Sequence, residues 1–276
     1  MREYFQTGAN GPQDTVQFAT TSRYLAGGGD PRRVTEVLRA AGWTNHSDLA
    51  YPHVLLASPD MAVRLALEPA QPDASTAWWK FNARGWYAAF GGHTPVEILA
   101  GFSDALLHPA PDQPPTPAGI RAILASTGWD KETDGQGAET ALSPDGYVRM
   151  GPRPGMDDEA GRPTWSAEVA PATGFADRRL WSAWFSAGTP THLVAGFAAQ
   201  LMSTEPVYRD SRGLPHSWLL TQERTSVQGE HLADDHRLRL EAVRAAARKQ
   251  RRAAAALAAH APLPPATASA AAPTRR

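Results

Sequence analysis

Apolar and polar positions in the first third of the chain follow two different periods. From Val34 to Ala41 the apolar residues recur at helical spacing, with Asp30 placed to cap the helix and Gly42 placed to end it. From Val63 to Leu67 apolar residues occupy every second position, as a half-buried strand requires. The pattern therefore predicts a helix followed by strands.

The same unit continues with more strands and a closing helix. Residues 53–57 lead into a Ser-Pro-Asp turn, and residues 78–81 and 86–90 have the composition of two further strands. Thr94 and Glu97 have the spacing of a capping box, followed by an apolar stripe that ends at Leu106. These elements predict an αββββα-like unit, in which a small antiparallel sheet is flanked by helices.

The whole pattern occurs twice. Gly42-Trp43 corresponds to Gly128-Trp129, and the Ser-Pro-Asp turn at 58–60 corresponds to the one at 143–145. We expect the repeated aromatic residues to be structural positions, more often core than stacking surfaces for bases. They are Trp43, Trp79, Trp86, Phe90 and Phe102 in the first copy and Trp129, Trp165, Trp181, Phe185 and Phe197 in the second. The predicted fold class is α+β, with two tandem αββββα-like repeats, a C-terminal helix and a disordered tail.

Composition shifts divide the chain into segments around the two repeats. The expected segments are a lead-in at 1–29, repeat unit 1 at 30–107, a Pro-rich linker at 108–116, repeat unit 2 at 117–208, a connector at 209–230, a basic Ala/Arg-rich helix at 231–259 and a disordered tail at 260–276.

Charge is distributed unevenly along the chain. The net charge is −1, yet residues 237–276 hold nine Lys/Arg against the single acid Glu241. Such asymmetry suggests a tail that contacts phosphates, or a solvated helix that folds back on an acidic body. For the first alternative we expect nucleic-acid contacts from Arg244, Arg248, Lys249, Arg251 and Arg252.

Composition also limits the possible chemistry and location. The chain has no Cys, which excludes disulfides, thiolate ligands and a Cys nucleophile. It shows no signal-peptide pattern and no apolar stretch near the roughly 20 residues of a membrane helix. We therefore expect no membrane association and a cytoplasmic location.

Motif searches find no established catalytic or metal-binding pattern. The glycines of 26–29 lack the Gly-Lys-Ser/Thr of a P-loop and predict a flexible lead-in. His231, Asp234, Asp235 and His236 match no standard metal spacing and favour a solvated helix start. We therefore expect no catalytic residues, no metal site and no cofactor.

Two charged pairs recur in both copies and are the best candidates for binding. Asp60 with Arg64, and Asp145 with Arg149, are four residues apart across each Ser-Pro-Asp turn. Such a pair could form an acid/base or anion site. The alternative is a turn-forming Asp and a strand Arg on the wet face of the sheet.

These motifs, in this order and twice, resemble a streptomycete family known as domain of unknown function 317. The resemblance rests on the Gly-Trp after the first helix, the Ser-Pro-Asp turn with its Arg, and the Thr-Pro helix that ends in Ala-Gly-Phe. It covers roughly residues 20–208 and implies an actinobacterial protein. The family brings no established activity, so no catalytic residues carry over.

Three functions remain open from the sequence. The first is a non-enzymatic binding or scaffold protein, whose partner is another protein or a second copy of itself. The second is a nucleic-acid-binding protein that uses the basic C-terminal helix. The third is an enzyme with a cryptic site near the Ser-Pro-Asp turns, which requires a pocket around the Asp and Arg pairs.

Overall fold

A computed structural model describes residues 7–8, 11–12, 17–69, 77–133, 139–153, 156, 158, 161–170, 179–210, 222–225 and 229–259. The tail predicted at 260–276 lies outside the described residues. The helices are α1 (Arg32–Ala40), α2 (Val96–Leu107), α3 (Pro117–Ser126), α4 (Thr191–Leu201) and α5 (Gly229–Ala259), with a 3-10 helix at Arg23–Leu25. The strands are β1 (Thr7–Gly8), β2 (Gly11–Pro12), β3 (Gln17–Thr20), β4 (Thr44–Asn45), β5 (Val54–Ala57), β6 (Val63–Leu67), β7 (Ala77–Ala83), β8 (Trp86–Gly91), β9 (Asp130–Thr133), β10 (Glu139–Leu142), β11 (Val148–Arg153), β12 (Thr164–Val169), β13 (Trp181–Phe185), β14 (Val207–Asp210) and β15 (Gln222–Thr225).

Ten of these strands form one antiparallel sheet in the order β4-β5-β6-β7-β8-β13-β12-β11-β10-β9. The first five come from one repeat and the last five from the other, so the predicted α+β class and tandem units are confirmed. Each unit has five strands rather than the four that we predicted. The extra strands, β4 and β9, lie at the two edges and are short, exposed or charged, so they carry no apolar alternation.

The two repeats join along a pseudo-twofold axis at the centre of the sheet. Strand β8 pairs antiparallel with β13, and Ala89 lies opposite Trp184, its counterpart in the other copy. Beside the sheet, α2 crosses α4 at Gly101 and Gly196. A Cβ atom at Gly101 would lie 2.3 Å from the Gly196 carbonyl oxygen, and one at Gly196 would lie 2.5 Å from the Gly101 oxygen. The repeated Ala-Gly-Phe motif is therefore the crossing point of two helices.

One hydrophobic core runs beneath the helices of both copies. The Phe102 ring packs 5.1 Å from Phe81, and Phe197 packs 5.1 Å from Phe185. Phe90 contacts both Phe102 and Phe197, which joins the two halves of the core. Of the ten repeated aromatic residues, all but the half-buried Trp86 are buried, which makes them core rather than stacking surfaces.

A second, three-stranded sheet forms from segments in which the sequence predicted no strand. Strand β3 pairs with both β14 and β15, although about 190 residues of chain separate β3 from β14. Strand β14 carries Arg209 and brings it under α2. There the guanidinium forms two hydrogen bonds with the carboxylate of Glu97, at 2.9 and 2.6 Å. The capping box predicted for Thr94 and Glu97 is therefore wrong, because the Glu97 side chain turns to Arg209 instead of the helix start.

The glycine-rich segment before α1 is packed, which corrects the flexible lead-in that we predicted. Any Cβ at Gly28 would lie 2.7 Å from the Gly92 carbonyl oxygen. Gly29 has a φ of +76° and lies against the Arg209 guanidinium. The glycines thus permit a close backbone approach and a left-handed turn, and they serve packing rather than a phosphate.

The long helix α5 lies against the first repeat. His236 contacts Glu36 of α1 at 2.9 Å, and Arg239 reaches both carboxylate oxygens of Asp104 in α2, at 2.7 and 2.8 Å. The helix start at Asp234–His236 is thus partly docked rather than fully solvated, and no metal-binding cluster occurs in the described part of the chain. None of the described helices combines the length and hydropathy needed to cross a membrane.

Candidate functional site

The two Ser-Pro-Asp turns have the same internal hydrogen bonds. In the first copy, Asp60 Oδ1 accepts from the Ser58 hydroxyl at 2.6 Å and from the Ala62 amide at 3.1 Å. The Ser58 oxygen in turn accepts from the Val63 amide at 2.9 Å, which ties the turn to β6. The second copy repeats this network through Ser143 and Asp145. Both aspartates therefore build the turn.

Hydrogen bonding keeps the first turn aspartate ionised. The Ser58 hydroxyl and the Ala62 amide both donate to the carboxylate, and together they lower the pKa of Asp60. A carboxylate with a lowered pKa is a hydrogen-bond acceptor and a poor general acid at neutral pH. The geometry therefore favours a structural and acceptor role for Asp60.

Arg64 and Arg149 take no part in the hydrogen bonds that Asp60 and Asp145 form within their turns. Arg149 Nε donates to Glu132 Oε2 at 2.9 Å, on the neighbouring edge of the sheet. Arg64 lies opposite Asn82 on β7, is exposed, and has no ion pair with a described residue. Neither Asp60 with Arg64 nor Asp145 with Arg149 forms an ion pair within the described ranges. Within the described residues the Asp and Arg of each pair therefore do not act together, and a binding role for these four residues stays a prediction.

These arginines lie on the face of the ten-stranded sheet opposite the helices, which we call the open face. Buried and less buried residues alternate along most of its strands, and the large buried apolar side chains join the core under the helices. The open face carries Arg64, Ala66, Lys80, Asn82, Tyr87, Ala89, Arg149, Arg153, Ser166, Glu168, Ser182 and Trp184.

The middle of the open face combines an aromatic ring with charged side chains. The Arg153 guanidinium lies 5.6 Å from the centre of the Trp184 ring, and it also donates to Glu168 at 2.9 Å. In the first repeat, Lys80 forms an ion pair with Glu68 at 2.7 Å. The side chains of Arg64, Asn82 and Tyr87 are exposed, whereas Lys80 and Trp184 are half-buried. The face thus offers cationic, amide and aromatic groups in one plane.

A second candidate surface lies on α5. One side of this helix faces the first repeat. Its residues recur at spacings of three and four between His236 and Gln250. Arg244, Arg248, Arg251 and Arg252 recur at four, three and one, which places them on the opposite side of the helix. These four and Lys249 are exposed. The predicted nucleic-acid contacts therefore share an outward basic side, apart from Lys249, which projects between the two sides.

Both candidate turns lie inside regions that match a known family. Residues 57–112 and 142–207 match the SPDY family, described as a domain of unknown function (DUF317). These two matched regions are consistent with two tandem copies of the SPDY domain. The resemblance drawn from the sequence is thereby confirmed. Comparison with curated proteins and with solved structures finds no match.

Each SPDY match runs from the end of a β-strand through the Ser-Pro-Asp turn and the Thr-Pro helix. The first match includes Asp60 and Arg64, and the second includes Asp145 and Arg149. Helix α5 and the three-stranded sheet lie largely outside both matches, since the second ends at Val207. The matched regions therefore supply the six central strands of the ten-stranded sheet, β6 to β8 and β11 to β13, together with α2 and α4.

Proposed function

We propose that this protein is a non-enzymatic binding protein that holds a protein partner against the open face. The observation that carries the proposal is the pairing of β8 with β13, which joins the two SPDY copies into one continuous sheet. Two closely related units thereby present a single surface wider than either could offer alone. The crossing of α2 and α4 at Gly101 and Gly196 supports the same surface from behind.

The edges of the sheet favour contact across its face. Strand β4 has two residues, and strand β9 carries Asp130, Lys131 and Glu132. Short or charged edge strands disfavour the addition of another strand. A partner or a second copy of this chain would therefore bind over the face rather than extend the sheet.

Charge on the open face indicates the chemistry of the partner. Arg153 and Arg179 both contact the one carboxylate of Glu168, at 2.9 and 3.7 Å. Arg64 is a further cation that has no ion pair with a described residue. A surplus of cations on the open face, with Arg64 two strands away from Tyr87, favours a partner that presents carboxylates. Arg and Tyr are also the residue types most often found at energetic centres of interfaces.

The third predicted function, an enzyme with a cryptic site, draws no support from this geometry. It required a pocket in which Asp and Arg act together, whereas the Asp60 carboxylate serves its turn and Arg64 lies on the open face. We further propose a cytoplasmic location, which suits a cysteine-free chain, and an actinobacterial source, which the resemblance implies.

Reversing the charge at Arg64 and truncating Tyr87 is expected to remove the partner. In quantitative affinity capture from nuclease-treated lysate, full-length Arg64→Glu/Tyr87→Ala should recover the partner at least about tenfold less than wild type, as expected when hot-spot residues are lost. The control is Arg248→Glu/Arg251→Glu, which changes α5 and leaves the open face intact. Equal recovery by wild type and the open-face variant would contradict the proposal.

The second candidate function is nucleic-acid binding by α5, and its outward basic side is the observation that favours it. Arg248 and Arg251 are exposed and lie opposite the residues that dock the helix. A helix that contacts about four phosphates should lose affinity with a log–log salt slope of roughly −3 to −4 on duplex DNA.

Charge reversal on α5 tests this second function. Fluorescence anisotropy with a labelled 20-base-pair DNA should show that Arg248→Glu/Arg251→Glu weakens binding by more than about tenfold and reduces the salt slope by about 2. The open-face variant Arg64→Glu/Tyr87→Ala should bind like wild type. Binding that does not respond to salt, or that is lost only in the open-face variant, would exclude α5 as the contact surface.

A further inference from the structure

The first Ser-Pro-Asp turn borders a groove with a volume of about 650 Å³. Its walls are Trp43, the end of α2 at Leu106, and the docked side of α5 at Val243 and Ala247. Asp60, which is exposed, also lines the groove. Small-molecule sites are mostly apolar clefts of roughly 300–1,000 Å³ with a few polar groups, and the groove has that size and composition.

The polar groups of the groove differ in their availability. Arg239 donates to both carboxylate oxygens of Asp104, so these two lining residues already satisfy each other. Asp60 uses Oδ1 for its turn, while Oδ2 accepts no hydrogen bond from any described residue. The groove therefore presents a carboxylate oxygen, held at a fixed position by the turn, as its acceptor.

The second copy shows what that oxygen can bind. There the Tyr24 hydroxyl donates to Oδ2 of Asp145, the counterpart of Asp60. The Tyr24 carbonyl accepts from the Trp181 indole at 2.7 Å, which fixes the residue beside the turn. Burial, with the bond to Asp145, raises the pKa of Tyr24, so its hydroxyl remains a donor.

We infer that the groove binds a small molecule with an aromatic hydroxyl, which donates to Asp60 as Tyr24 donates to Asp145. The two turns have the same internal hydrogen bonds, and the chain itself supplies the phenol at one of them. At the other turn, the apolar walls of Trp43, Leu106 and Val243 suit an aromatic ring. This site is separate from the open face and does not depend on the proposed function.

The probe for this inference is p-cresol, the side-chain analogue of tyrosine, with toluene as the matched compound that lacks the hydroxyl. Titration of full-length protein, followed by NMR, should show saturable binding of p-cresol with a dissociation constant on the order of 1 mM. Toluene should bind at least about fivefold more weakly, because the hydrogen bond to an ionised group is lost.

Three variants locate the binding. Asp60→Asn keeps an oxygen for the turn and replaces the free acceptor by a donor, so p-cresol affinity should fall at least about fivefold. Ala246→Trp should fill the groove and abolish binding, and its exposed position should leave the melting temperature unchanged. Asp145→Asn, the same change in the other copy, should leave p-cresol affinity within about twofold of wild type, since Tyr24 already occupies that turn.

Four results would overturn the inference. They are the absence of saturable p-cresol binding, equal affinity for toluene, undiminished affinity in Asp60→Asn, and a loss in Asp145→Asn equal to that in Asp60→Asn. Capture of a protein partner on the open face can succeed or fail independently of all four, because it depends on Arg64 and Tyr87.

Discussion

Gly101→Ala is expected to destabilise the folded protein by at least about 3 kcal/mol, although Ala is the better helix former. The new Cβ would lie 2.3 Å from the Gly196 carbonyl oxygen and 2.5 Å from Cγ of Gln200. Carbonyl backbone in a packed helix cannot rotate away as a side chain can, so α2 and α4 must separate. Urea unfolding followed by tryptophan fluorescence measures the change.

The same substitution at Gly119 provides the matched control. Gly119 lies in the first turn of α3, where a Cβ would meet only the Thr116 Oγ1 at 3.4 Å. Gly119→Ala should therefore stabilise the protein by about 0.5–1 kcal/mol, the difference in helix propensity. If the two variants changed stability alike, the close helix crossing would not be a determinant of the fold.

Glu97→Gln is expected to destabilise the protein by about 3–5 kcal/mol at neutral pH, because it leaves the buried Arg209 without its counter-charge. Arg209 is 1% exposed and Glu97 11% exposed, so water screens the pair little. Burial by itself would raise the pKa of Glu97. The charge and hydrogen bonds of Arg209, with the charge of Arg33, outweigh burial and lower this pKa to about 2.

The direction of the pH dependence follows from that lowered pKa. In the unfolded chain Glu97 has the ordinary value of 4.5. The stability that its ionised form contributes is complete above that value and is lost as pH falls from 4.5 towards 2. The difference between wild type and Glu97→Gln should therefore shrink by about 1.4 kcal/mol for each pH unit below 4.5.

Urea unfolding at pH 7, 5.5, 4.5 and 3.5 tests this expectation. Glu132→Gln is the control, because its ion pair with Arg149 is largely exposed and exposed pairs contribute about 0–1 kcal/mol. A constant difference between wild type and Glu97→Gln over the whole range would show that Glu97 titrates normally in the folded state.

The sequence could predict the units of this fold because the information is local and present twice. Alternation at Val63–Leu67, the helical stripe from Val34 and the turn chemistry of Ser-Pro-Asp each depend on neighbouring residues. The same local signals fail for β4 and β9, whose residues are exposed at the edges. Edge strands form because a neighbour offers hydrogen bonds, which composition does not record.

Long-range partners explain the predictions that failed. Glu97 has the spacing of a capping residue, yet its carboxylate binds Arg209, 112 positions away. The glycines before α1 resemble a flexible segment in sequence. In the structure, Gly28 packs closely against the Gly92 carbonyl and Gly29 against the Arg209 guanidinium, so neither position has room for a side chain. A charged or glycine residue has several local interpretations, and tertiary contacts decide between them.

The candidate site was predicted only in part. Asp60, Arg64, Asp145 and Arg149 are correctly recognised as equivalent positions, but spacing alone could not show that each turn uses its aspartate while the arginine lies on the other face. The groove beside Asp60 was missed, because α5 forms one wall and no local pattern links Val243 to the turn. Tyr24 gave no signal as a site residue, since its partner Asp145 lies 121 positions further along the chain.

The contact between Ala89 and Trp184 has a consequence for the origin of the double unit. In a homodimer of single units, the residues that face each other across the axis must be identical, so a bulky ring would meet its own copy. Fusion into one chain removes that constraint, and here a small residue lies opposite a large one. The two halves have thereby become complementary rather than interchangeable, and a protein made of two first copies or two second copies would lose this fit at its centre.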